Sequence, residues 1–326
     1  MTTEQVLEAV GTNFDELFTE DNLLDEDKMK SIMASRHFNS EKDALIYLNR
    51  SLKQKIVLPI PELHGLTPAQ MDRLLNDSLE TDDLITTLSG LDGQPDAPIL
   101  TIFNLMAEAI GDKGLNVTRT GLLPLKFRRD VAAHLHGQRT YRNRDMTEVD
   151  PEQYNSAIHT TSVVAELAGL IETKDGKLVV TPECQTIMAT HGPSGVYAHM
   201  FRVFVEDFDW CCSDSWQELP LLQHTFRLTL YLLRKYGTEW QSSMFYQDCF
   251  LKTYPLLLQE ITPLGKIYSS EEVFRSCYST RCLDRFACFM GLVEIYRDLR
   301  SPWQHVVFSV KKLPLLDHVV PFNREG

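Results

Sequence analysis

The chain has no Cys-x-x-Cys pair, no glycine-rich phosphate loop and no apolar run long enough to span a bilayer. The first absence removes the commonest structural zinc knuckle. The second removes P-loop nucleotide chemistry, because Gly192-Pro193-Ser194-Gly195 has neither the lysine nor the spacing. The third removes a membrane-spanning helix: the long uncharged stretch from Cys184 to Phe201 is interrupted by His191, Gly192 and Pro193. Basic charge is also scarce. Lys and Arg number 32 against 45 Asp and Glu, for a net charge of −13. An acidic chain repels phosphate on average, so wrapping of nucleic acid around the whole protein is disfavoured, although a local basic face remains open. The opening stretch, "MTTEQVLEAVGTNFDELF", lacks a basic n-region and a long apolar run, so no signal peptide is expected. The seven cysteines are odd in number and sit mostly in apolar contexts, which fits small hydrophobes in a reducing, cytoplasmic setting.

What is present is globular. Hydrophobic residues make up 43% and aromatics 10% of 326 positions, enough to build cores rather than a disordered chain. Residues 1–43 carry eleven acidic and four basic side chains, with Val6, Leu7, Val10, Phe14, Leu17 and Phe18 at helical spacing. Ser40 and Asp43 mark a helix start ahead of Leu45, Ile46, Leu48 and Leu52. Pro59 and Pro61 force an extended connection. Thr67 then reads as N-cap, Pro68 as the first helical residue and Gln70 as the capping-box partner. "SGLDGQPDAP", 89–98, is the expected linker.

Beyond it a weak internal repeat predicts helix, Gly-Leu, strand, turn, strand. A helix with Ile99, Phe103, Met106 and Ile110 on one stripe ends at Gly111 or Gly114, and "GLNVTRTG" leaves room for one strand. A second helix carries Thr160, Val163, Val164 and Leu167 into Gly169-Leu170. There "GLIE" and "KLVVT" flank Lys174-Asp175-Gly176, a hairpin signal. A third copy spans "RCLDRFACFMGLVEIYRDLRSPWQHVVFSVKKLPLL", with Gly291-Leu292 at the break. Between the second and third copies, Leu222, Phe226, Leu230 and Leu233 mark a helix closed by Gly237. Tyr197, Phe201, Phe204, Phe208, Trp210 and Trp216 recur at roughly helical spacing, as core aromatics do.

The expected fold is mainly α with small antiparallel hairpins (α+β), as tandem winged-helix-like modules plus helical regions. The expected division is an acidic helical region over 1–95, two winged-helix-like modules over 96–192, a helical block over 193–265 and a third winged-helix-like module over 266–326. "GLNVTRTGLLPLKFRRDV" is similar to a Leu-Thr-Lys-Thr-Gly-Asn-Leu-Pro motif of uncharacterised bacterial proteins, some of which carry an appended zinc-binding SEC-C-type module. In that group a Gly-Leu-Ser/Thr-Pro helix start precedes the motif, as Gly65-Leu66-Thr67-Pro68 does here, and a hairpin like Ala168 to Thr181 follows it. Leu122 replaces the motif's Asn, and no cysteine-rich tail is present. The resemblance implies winged-helix-like modules and a bacterial origin. It implies neither an activity nor zinc.

One segment stands out chemically. From Asn116 to Arg144 lie Arg119, Lys126, Arg128, Arg129, Arg139, Arg142 and Arg144, opposed only by Asp130. Arginine forks suit phosphate and base edges, so the segment is the candidate nucleic-acid-binding surface. Pairing with the acidic N-terminal residues, or with an acidic protein partner, explains the same charges. His134 with His136, and Cys211, Cys212 and His224, are weak metal candidates, because helical positions two apart diverge and adjacent cysteines are poor co-ligands. Cys184 with His191 and Cys249 with His224 lack an orienting third group. The carboxylates from Asp15 to Asp27 read as a solvated helix face. No catalytic constellation, metal site or cofactor is expected, and no membrane partner. Two readings follow: a non-enzymatic, DNA-associated or regulatory protein acting through 116–144, or a protein–protein adaptor without nucleic-acid contact.

Overall fold

Helices alternate with short hairpins along residues 58–77, 79–91, 93–118, 123–136, 155–214, 216–265, 268–298 and 307–319, which the computed structural model describes. The chain divides into two compact units, residues 1–76 and 77–326. Of the first, a 3₁₀ turn, Pro61–Leu63, leads to helix α1, Pro68–Asn76. The predicted capping box forms: Gln70 N donates to Thr67 Oγ1 at 3.1 Å and Thr67 N to Gln70 Oε1 at 2.9 Å. The helices expected before residue 58 lie outside the described residues.

The second unit opens with α2, Thr81–Leu88, which buries Leu84 and Leu88. A first module follows: α3 (Pro98–Ile110), β1 (Leu115–Asn116), α4 (Leu125–His136), α5 (Asn155–Leu167), β2 (Ile171–Lys174) and β3 (Lys177–Val180). The long helix α6, Pro182–Glu206, and the short α7, Pro220–His224, lead to a second module. It repeats the order as α8 (Phe226–Tyr236), β4 (Gln241–Ser242), α9 (Ser243–Thr253), the short α10 (Leu257–Glu260), α11 (Ser270–Tyr278) running into a π-helical segment (Ser279–Cys288), β5 (Val293–Tyr296) and β6 (Ser309–Lys312). Helix α12, Pro314–Val319, closes the described chain. Mainly helical structure with small antiparallel sheets is thus observed.

Each module holds one three-stranded antiparallel sheet with the hairpin's second strand in the middle, in the orders β1-β3-β2 and β4-β6-β5. Leu115 pairs with Leu178 in the first and Gln241 with Val310 in the second. The stretch read as a truncated copy supplies the third strand of the following copy's sheet, because two residues cannot stand as a sheet alone. The second run of this order begins at Phe226. The expected linker 89–98 lies inside the second unit: α2, just before it, packs on α6 and α12, and α3 begins within it. His318 Nδ1 sits 3.2 Å from the Thr87 carbonyl.

The predicted Gly-Leu breaks are observed, and both have the same bonds. Gly169 N donates to Glu166 O and Leu170 N to Ala165 O; Gly291 N donates to Cys288 O and Leu292 N to Ala287 O. That is a Schellman ending, which needs a left-handed residue; φ is +67° at Gly169 and +73° at Gly291. The following leucine, 0% exposed in both modules, fills the space between helix and sheet. The residue after each last strand, Thr181 or Leu313, donates back to that leucine's carbonyl at 3.1 and 2.8 Å. The first hairpin turns through Asp175 and Gly176, both at positive φ, as a two-residue loop between right-twisted strands requires.

Three contacts join the modules. Ile99 N donates to Phe289 O at 3.2 Å, Tyr197 Oη to Met290 O at 2.9 Å, and Gly291 lies against the backbone of Asp96 and Ala97. Helix α6 is capped by Thr181 and Pro182 and bends at Gly192, where φ is +61°. Its second half buries Tyr197, Phe201 and Phe204, and Phe286 sits among Phe201, Phe204, Trp210 and Phe226 at centroid distances of 4.8 to 5.9 Å. The aromatics read as core are core, except that Trp216 is half-buried.

Gly291→Ala combines a left-handed backbone with a Cβ driven into the Asp96 carbonyl, and is expected to cost about 3–5 kcal/mol. Gly176→Ala, at similar φ but in open space, is expected to cost about 1 kcal/mol. Urea unfolding midpoints of the two variants test the difference, and equal losses would contradict the close approach.

Candidate nucleic-acid interface

Helix α4 sets its basic side chains outward by its apolar spacing. Phe127, Val131 and Leu135, four apart, are buried on one stripe. Lys126 and Arg129 are exposed on the opposite side with Asp130 and His134, while Arg128 is half-buried and donates from Nη1 to Asn155 Oδ1 at 3.2 Å. The structure therefore gathers Lys126, Arg128 and Arg129 in the first turns of one helix. Arg119, Arg139, Arg142 and Arg144 lie outside the described residues. Cations at a helix start oppose the macrodipole, so these three do not help the helix form. An anionic partner would be favoured at that end for two reasons, the dipole and the cations.

The neighbouring elements do not extend this basic face. Helix α5 contains no Lys or Arg; its exposed side chains are Ser156, His159, Glu166 and Leu167, the last 52% exposed. The tip of the first hairpin exposes Glu172, Lys174, Asp175 and Lys177, whose charges cancel. In the second module the corresponding third helix is largely interior, with only Glu271 and Glu272 of its first turn exposed. Val273, Phe274, Cys277, Tyr278, Cys282, Leu283 and Phe286 are all at most 1% exposed.

That interior helix holds a feature the sequence reading missed. Arg281 is 2% exposed and forms a two-pronged pair with Asp214: Nε to Oδ2 at 2.8 Å and Nη2 to Oδ1 at 2.7 Å. The aspartate sits just after a 3₁₀ turn, Trp210–Ser213, which the Asp209 side chain caps through Cys211 N. An arginine inside the apolar run "RCLDRFACFM" was the available signal, since a buried guanidinium must find a carboxylate.

The cysteines are placed as hydrophobes. Cys184, Cys249, Cys277, Cys282 and Cys288 are buried and unbridged, and Cys211 is half-buried. Burial pushes the Cys249 thiol up to about 11 and the Cys277 thiol up to about 12. Thiols held protonated are poor nucleophiles. His191 and His224, the expected partners of Cys184 and Cys249, are exposed while the cysteines are buried. Among the described residues no three His, Cys, Asp or Glu side chains gather as a metal site, and no helix is long and apolar enough to cross a membrane. Compared with family models, curated proteins and solved structures, the chain matches none.

Asp214→Ala would leave Arg281 charged and unpaired, with an expected loss of about 3–5 kcal/mol in denaturant unfolding. A thiol reagent at pH 8 should label Cys249 and Cys277 about a hundredfold or more slowly than an exposed thiol, with full reactivity in urea. Rapid native labelling, read by peptide mass mapping, would contradict their burial.

Proposed function

We propose that the chain is a non-enzymatic binding protein built on two winged-helix modules, and that it engages another protein rather than nucleic acid. The order helix, strand, helix, helix, hairpin, with the first strand beside the hairpin's second, supports the winged-helix reading. Winged-helix readers of DNA use the third helix and the hairpin. The observation that carries the adaptor reading is the state of those third helices: one is largely interior and exposes only Glu271 and Glu272, and the other presents Ser156, His159, Glu166 and Leu167 without a cation. A groove-reading helix without Arg or Lys lacks the bidentate contact to guanine and the cationic phosphate anchor. The face of α5 around His159 and Leu167 is the proposed contact. The buried, unbridged cysteines support a reducing, cytoplasmic location.

A second reading keeps one specific observation, the exposed Lys126 and Arg129 at the positive end of α4. It is a DNA-associated, regulatory protein contacting phosphate through that helix start. Fluorescence anisotropy of labelled duplex DNA at about 50 mM salt separates the two, since clustered cations show non-specific affinity there. No binding is expected. Binding that Lys126→Glu with Arg129→Glu abolishes, without a change in thermal stability, would overturn the adaptor reading. A photo-crosslinking amino acid at position 159 should give a discrete protein adduct in cells, lost in the Leu167→Arg variant. Absence of any adduct would count against the α5 face.

A further inference from the structure

We infer that the outer face of the second module's sheet binds an extended, proline-rich segment of a partner protein, ended by a basic residue, against the rings of Trp240 and Tyr296. The register defines that face. Val310 and Ile295, paired across the ladder, are at most 2% exposed and point inward. Ser309, flanked by Ser242 on one side and Tyr296 on the other, therefore points outward with both of them. Trp240, just before β4, leans across to Tyr296: the ring centroids are 6.5 Å apart and the planes meet at 70°. Both rings stay open to solvent, 42% exposed for Trp240 and 52% for Tyr296. Single exposed apolar side chains are ordinary, whereas a tryptophan and a tyrosine gathered on one face are what interfaces enrich. The first module supplies a comparison within the chain. There the residue before the first strand is Gly114, and the last residue of the hairpin's first strand is Lys174, at the places of Trp240 and Tyr296. The sheet thus does not need the rings to form.

The chain's own cations cover other rings. Lys235 lies over Tyr231 and Tyr236, and Arg297 over Phe308, at 4.7 to 5.5 Å, while among the described residues no cation lies over Trp240 or Tyr296. The chemistry of the face selects its ligand. Side chains meet the ligand there, because the ladder's backbone groups lie in the plane of the sheet. Those side chains bring an indole N–H and the hydroxyls of Tyr296, Ser242 and Ser309. A proline-rich chain is the complement: it has carbonyl acceptors, few amide donors and apolar rings that dock on aromatic ones. Two residues of a polyproline II helix rise about 6 Å, close to the separation of the two ring centres. Charge selects the ligand's end. Glu294 and Lys311 oppose each other across the ladder, so the middle of the face favours neither sign. Beside the rings stand carboxylates, Glu239 directly before Trp240 and Asp298 two residues after Tyr296, both exposed. They attract a basic residue, and they oppose the phosphates of a ring-stacked nucleic acid. This surface and the face of α5 belong to different modules, so each stands or falls without the other.

Fluorescence anisotropy of a labelled decaproline peptide with an arginine at each end, titrated with the full chain, tests the site. Saturable binding is expected. Trp240→Ala and Tyr296→Ala should each weaken it about thirtyfold or more, as truncation of a central interface ring does. Their Tm should stay within about 2 °C of the parent, because both rings are exposed. Glu239→Arg should remove the preference for this peptide over one ended by glutamates. Leu167→Arg, on α5, should leave binding unchanged. If Trp240→Ala fails to fold, Tyr296→Lys, which installs the first module's residue, decides. Absence of binding, or binding that survives Tyr296→Lys, would overturn the site. So would tighter binding of a trimethyllysine peptide or of a single-stranded oligonucleotide than of the proline probe, since the rings would then serve a cation or a base.

Discussion

The second unit depends on one helix that is buried along most of its length, with only Glu271 and Glu272 of its first turn exposed. Ser270 to Cys288 is surrounded by α7, α8, α9 and the second half of α6, and Phe286 lies at the centre of the rings that seal it. A helix buried along most of its length must solve two problems at once. Its polar groups need internal partners, which explains why Arg281 and Asp214 form a paired fork, and why Gln247 reaches Ser279 at 2.7 Å. Its neighbours must also approach from several directions. The bend of α6 at Gly192 and Pro193 lets the half that starts at Pro193 lie along the second module while the half that starts at Pro182 continues the first.

The two modules share local chemistry but not environment. The Schellman endings, the leucine plugs and the return bonds from Thr181 and Leu313 match bond for bond. The third helices differ. Helix α5 carries serine, histidine and glutamate on its open side, whereas the second module's helix carries Phe274, Tyr278, Leu283 and Phe286 on faces that would otherwise meet water. A duplicated framework thus carries one open helix and one closed helix. The closed one contributes core to the whole unit rather than a surface.

Much of the framework was legible because its signals are local. Gly-Leu breaks, Asp175-Gly176 and the Thr67-Pro68-Gln70 start each act within six residues, and each appears where the sequence placed it. Which sheet takes up each short first strand was not legible. Assigning Leu115 to the sheet of Leu178 requires a pairing across 63 residues, and the two-residue strands β1 and β4 carry no period to read. The basic segment was legible as charge, but its arrangement was not. Only the spacing of Phe127, Val131 and Leu135 decides that Lys126 and Arg129 face outward. The buried Arg281 was legible as an arginine in an apolar run, but its pairing with Asp214 was not, because the halves are 67 residues apart.

The contact of Thr87 with His318 spans 231 residues, and those of Ile99 and Ala97 with Phe289 and Gly291 span nearly as many. A ribosome therefore releases the beginning of this unit long before the groups that hold it in place. Helices α2 and α3 find α6 and α5 early, but the contacts of Thr87, Ala97 and Ile99 form only when synthesis reaches the last third of the chain. Such a unit closes as a loop whose two ends meet last, and contacts of that sequence separation are the ones that slow folding.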